Sequence, residues 1–81
     1  MRRDFYKGYA INASAVTDDA DSQGYIPKAE IFWHDGAERK CQALIETARR
    51  FRTPREAEIF AIQMSKIWIR EMFDSTEHKP N

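Results

Sequence analysis

Residues 53–73 constrain this chain most, because they read as one long helix too apolar to stand alone in water. Thr53 suits an N-cap, Pro54 fits the first helical position, and Glu56 completes a capping box three residues after the cap. Neither Gly nor Pro interrupts the run after that start. At about 100° per residue, Ala57, Phe60, Ala61, Met64, Ile67, Trp68 and Met72 make one stripe, expected to face the core. A second set, Ile59, Ile62, Ile69 and Phe73, falls on the far side, interrupted by Arg55, Lys66 and Arg70. Contiguous exposed apolar patches mark interfaces. Ile59, Ile62, Lys66, Ile69 and Phe73 are therefore the expected interaction surface, for a protein partner or for a second copy in a homodimer. The alternative is that a strand, the tail or a curled sheet edge covers part of this second set and the rest are ordinary scattered exposed residues.

The cover for the first stripe has to come from the preceding residues. In 5–16, Tyr9, Ile11, Ala13 and Ala15 alternate with Ala10, Asn12 and Ser14, the pattern of a half-buried strand. Its small residues imply a bulky element packed closely over it. The stretch 17–24 is acidic and rich in turn formers. A second strand follows at about 25–34, with Pro27 near its start and Ala29, Ile31 and Trp33 on one face. Asp35-Gly36 signals a hairpin into a third strand at about 38–47, where Cys41, Ala43 and Ile45 alternate with Gln42, Leu44 and Glu46. On this pattern Cys41 is expected to point inward. The expected fold is α+β, a three-stranded antiparallel β-meander packed against one long C-terminal helix. It forms a single domain over 1–81, ordered at about 5–73, with a flexible tail at 74–81.

Composition narrows the class. At 42% apolar and 12% aromatic residues, the chain is too rich in core formers to be disordered. With 81 residues it sits near the lower size limit for a self-sufficient core, so extra burial through self-association is an expected supplement. Thirteen basic and thirteen acidic side chains cancel, so only local clustering can favour an anionic partner. The single Cys41 cannot form an internal disulfide, which favours a reducing cytoplasm. No stretch reaches the length of a membrane span, and no apolar run follows the basic start to make a signal peptide.

One cluster of charge stands out. Arg49, Arg50, Arg52 and Arg55 crowd the approach to the helix, where free N–H groups could join them in holding a phosphate or carboxylate. Arg2, Arg3, Lys7, Arg39 and Lys40 could join as well. With aromatics such as Tyr6, Tyr25 or Phe32 on an open sheet face, such a patch resembles a surface for single-stranded nucleic acid. Pairing with Asp18, Asp19, Asp21, Glu46 and Glu56 would instead make it a neutral solvated surface. Phe51, inside the cluster, reads as a plug under the helix start.

Catalytic and metal chemistry find little support. Residues 19–30 match part of a calcium loop, but Gln23 and Pro27 are poor at their positions and the flanks read as strands. His34 and Asp35 lie in a turn, without an identifiable nucleophile or metal partner. Two histidines and one cysteine make no zinc site. No metal, no cofactor and no enzymatic activity are expected.

Phe51, Thr53, Glu56, Ala57, Phe60, Ala61 and Lys66–Ile69 together resemble the closing unit of several small bacterial families of uncharacterised proteins. In these a short antiparallel sheet precedes a Phe-x-Thr-x-x-Glu-Ala helix. The resemblance covers about 5–70 and implies a β-β-β-α domain with no particular reaction. The functional expectation is a small cytoplasmic binding or interaction module, self-associating through the helix's second stripe. Its alternative is a nucleic-acid or other polyanion-binding domain using the arginine cluster.

Overall fold

A computed structural model describes residues 1–17 and 24–77, with helix side chains described as far as Phe73. Four strands, β1 (Arg2–Tyr6), β2 (Tyr9–Thr17), β3 (Tyr25–Asp35) and β4 (Glu38–Ile45), precede one helix, α1 (Pro54–Glu77). The strands form one antiparallel sheet in chain order. The class is the expected α+β, but the sheet has four strands, not three.

The extra strand comes from a two-residue turn. Lys7 (φ 50°) and Gly8 (φ 83°) both adopt left-handed backbone, which matches the twist of a tight hairpin and closes Tyr6 against Tyr9. Lys is an unusual first residue for such a turn, so the signal was weak. At the hairpin between β3 and β4 the central pair is Gly36-Ala37, between Asp35 and Glu38, with φ positive at Gly36 alone. Asp35-Gly36 located that hairpin, but Asp35 closes strand β3 instead of entering the turn.

Alternation along the strands builds the core. Ile11, Ala13, Ala29 and Ile31 are fully buried, paired as Ile11 with Ile31 and Ala13 with Ala29 across β2 and β3. α1 lies chiefly across these two central strands. It meets them through Ala57, Ala61 and Ser65, all fully buried, whose small side chains let the helix backbone come close to the alanines below. The Ser65 hydroxyl donates to the Ala61 carbonyl at 2.7 Å, so this buried polar group is satisfied within the helix. Ile62 and Ile69 complete the buried face, and Tyr9, Trp33 and Trp68 stack along its side with ring centroids 5.2 and 5.6 Å apart.

The helix start follows the sequence closely. The Glu56 N–H donates to Thr53 Oγ at 3.1 Å, and Thr53 Oγ meets Glu56 Oε1 at 3.2 Å. The approach to it is pinned by Tyr25 and Phe51, which exchange backbone hydrogen bonds of 2.8 and 2.9 Å. Phe51 packs on Phe60 with ring centroids 5.3 Å apart, as a plug would. Gly24 (φ +135°) makes this crossing possible, since a Cβ there would sit 2.7 Å from the Phe51 carbonyl oxygen. The helix runs to Glu77, past the expected end at Phe73. Asp18, Asp19, Asp21 and His78, and with them the start of the calcium-like loop at 19–23, lie outside the described residues.

Candidate functional site

The alternation that points Ile11, Ala13, Ala29 and Ile31 at the helix points their neighbours the other way. On that second face no described element covers the sheet around Phe5, Ala10 and Phe32, although Ile26 at the far end of β3 is buried. In register across all four strands it carries the row Phe5, Ala10, Phe32 and Cys41. Phe5 is 72% exposed, a large aromatic ring left in water. Strands lie about 4.8 Å apart, so the two phenylalanines stand about 10 Å from one another with only the Ala10 methyl between them. The result is a trough. A concavity of about 470 Å³ is lined by Phe5, Ala10, Phe32, His34, Arg39 and Cys41. A second hollow of about 330 Å³ continues from it to Arg3 and Asn12.

Charge on this face is one-sided. Arg3, Lys28 and Arg39 lie on it against Glu30, three cations to one carboxylate, although the whole chain is neutral. Arg3 and Arg39 make no ion pair among the described residues. The other acidic side chains of the strands, Asp4, Asp35 and Glu38, fall on the helix side, where each is in an ion pair. Asp4 pairs with Lys66 at 3.1 Å and accepts the Phe5 N–H at 2.8 Å. That backbone hydrogen bond and the Lys66 ammonium hold the Asp4 carboxyl below its usual range. Glu58 takes the N-terminal ammonium at 3.2 Å and Arg2 at 3.9 Å. These pairs fasten β1, the strand that presents Arg3 and Phe5, to the helix.

The expected interaction stripe on the helix needs correction. Ile69 is fully buried and Ile62 is 8% exposed, so both belong to the core and neither forms a surface. Lys66 is bound to Asp4, Phe73 is half-buried with the Lys7 ammonium 5.1 Å over its ring, and Ile59 alone is well exposed. The reason is steric. The sheet receives the face where Ala57, Ala61 and Ser65 permit close approach, which rotates the helix and moves Ile67 and Met72 outward. Cys41 is also corrected, being exposed on the open face instead of inward.

The arginine cluster lies elsewhere. The bridge between Phe51 and Tyr25 places 49–55 at the start of β3, seven residues from Phe32 and therefore roughly 20 Å along the strand. Arg49 sits over the Phe60 ring at 5.2 Å and Arg50 donates to the Thr47 carbonyl at 3.3 Å. Arg52 and Arg55 are exposed. Of the expected aromatics, Phe32 lies on the open face, while Tyr6 packs against the core on the helix side. Arg3, Phe5, Ala10 and Arg39 were not recognised as a group, because they converge only once β1 is part of the sheet.

Among the described residues no three metal-ligating side chains cluster, and no helix is long and apolar enough to cross a membrane. No protein-family model, curated protein or solved structure matches this chain.

Proposed function

We propose that this domain binds single-stranded nucleic acid across the open face of its sheet. The observation that carries the reading is the Phe5–Ala10–Phe32 row, an exposed aromatic trough flanked by Arg3 and Arg39. An unpaired base offers a flat π-face to each ring, and its phosphates offer charge to guanidinium groups that make no ion pair among the described residues. Duplex DNA hides its base faces by stacking, so the trough favours single strands. The arginine cluster at 49–55, at the far end of the sheet, is not required for this contact.

The test is an amide-shift titration with a mixed-sequence single-stranded oligonucleotide at low and moderate salt. Shifts are expected at Phe5, Ala10, Phe32, Arg39 and Cys41, shrinking as salt rises. Phe5→Ala should weaken binding about tenfold, from the 1–3 kcal/mol that base–aromatic stacking contributes. Arg3→Ala with Arg39→Ala should flatten the salt slope by about 1.4, two phosphate contacts at 0.7 each. A flat titration, or shifts confined to 49–55, would overturn the assignment.

A further inference from the structure

Among the described residues both edges of the sheet, β1 and β4, are unpaired, and they are not alike. β1 is short and carries Arg2, Arg3 and Asp4, the charged kind of edge that resists pairing. β4 is eight residues long and exposed at seven of them, carries its charges Glu38, Arg39 and Lys40 at one end ahead of an uncharged run at 41–45, and has neither proline nor bulge within it. Beside it, on the helix side, a hollow of about 300 Å³ lies between Leu44, Met64, Ile67 and Trp68, with Ile67 52% exposed. An unpaired edge next to uncovered apolar side chains is an incomplete surface.

The hydrogen-bond phase of β4 is set by its ends. The Glu46 N–H donates to the Pro27 carbonyl at 3.1 Å, and the two-residue turn closes on Asp35 and Glu38. The even-numbered residues therefore bond to β3, and Arg39, Cys41, Ala43 and Ile45 direct their N–H and C=O groups outward. A second strand β4 laid antiparallel about a two-fold axis must match outward groups with outward groups. That places the axis through a residue, and Cys41, Gln42 and Ala43, at the middle of the strand, keep the longest overlap. An axis at Gln42 sets Glu38 against the partner's Glu46, and one at Cys41 sets Glu38 against the partner's Leu44. An axis at Ala43 sets Lys40 against the partner's Glu46, twice by symmetry, and Cys41 against the partner's Ile45. Lys40 meets its own Asp35 and Glu38 only at 4.0 and 3.9 Å, and Glu46 has no ion pair among the described residues.

The geometry points to a homodimer in which β4 pairs with β4 of a second copy about Ala43. The two four-stranded sheets join into one of eight, and the hollows lined by Leu44 and Ile67 face each other across the seam. Charge complementarity selects the register, and the apolar hollow supplies the area that a strand pair alone lacks. This assembly does not depend on the nucleic-acid reading, although it would place two open faces side by side.

Sedimentation equilibrium from micromolar to millimolar protein tests it, with a limiting mass of twice the 9.5 kDa chain expected. Ala43→Pro removes an outward N–H at the axis, which the monomer's own sheet does not use, and should yield monomer with unchanged helical circular dichroism. Glu46→Lys should weaken the dimer about tenfold by setting two like-charged pairs at the seam, and adding Lys40→Glu should restore it. A chain that stays monomeric at millimolar concentration overturns the proposal. So does a dimer that ignores both Ala43→Pro and the charge swap.

Discussion

Asp4 shows how one residue on the helix side serves the opposite face. Its carboxylate binds the Lys66 ammonium and the N–H of Phe5, so it fixes the backbone of the residue whose ring stands in the trough. Its pKa is lowered in the folded state from the ordinary 3.8, chiefly by the Phe5 N–H and then by Lys66. A depressed carboxylate stabilises the fold above its unfolded pKa, and that contribution fades as pH falls through the folded value. Asp4→Asn should therefore lower stability at neutral pH. The pair is about two-fifths exposed, with Asp4 at 39% and Lys66 at 36%, so solvent screens it and the loss should be only about 0.5–1 kcal/mol. Chemical denaturation against pH checks the sign: the gap between native and variant should be constant near pH 7 and close below about pH 4. A gap that widened in acid would contradict this account of Asp4.

At the scale of elements, the helix tests the packing most directly. Its two apolar arcs were legible in the sequence, but not that the sheet would meet the seam between them, burying Ala57 and Ala61 of the first arc with Ile62 and Ile69 of the second. Hydropathy ranks Phe60, Met64, Ile67 and Trp68 as the better core, whereas the contact is decided by the small residues Ala57, Ala61 and Ser65 over Ala13 and Ala29. Polar Ser65 hides this face in a pattern that counts only apolar positions, since its hydroxyl is satisfied by the turn before it. The two isoleucines near the helix end make the distinction measurable. Ile69→Ala should cost about 2–5 kcal/mol, because the side chain is fully buried between helix and sheet. Ile67→Ala, at 52% exposure, should cost under about 1 kcal/mol in the isolated monomer. Urea midpoints of the two variants, in an Ala43→Pro background to hold the chain monomeric, decide between the faces. The same limit explains the missing strand: β1 is legible only if Lys7-Gly8 is read as a turn, and without it Phe5 has no row to join. Strands β2 to β4 and the helix cap were legible because alternation, Asp35-Gly36 and the capping box are each local signals.

For the whole molecule, the consequence is a two-layer structure in which, among the described residues, the helix seals one face of the sheet. A single helix across two central strands leaves a small core, and the open face keeps aromatic surface in water. Such a domain has little stability in reserve, so anything that binds the folded state alone should raise its melting temperature visibly. At ligand a hundred times above its Kd the gain is about 2.7 kcal/mol, worth about 10–20 °C for a domain of this size. A single-stranded oligonucleotide should produce that shift at fixed protein concentration, and Phe5→Ala should remove most of it. Raising protein concentration without oligonucleotide should also raise the melting temperature, through the paired β4 edges, and Ala43→Pro should abolish that dependence while leaving the oligonucleotide shift in place. Because the two sites use opposite features of one sheet, a face and an edge, each response should survive loss of the other. Melting curves over a grid of protein and oligonucleotide concentrations separate them. If Ala43→Pro erased the oligonucleotide shift too, binding would require both copies, and the trough on one sheet would not be a sufficient site.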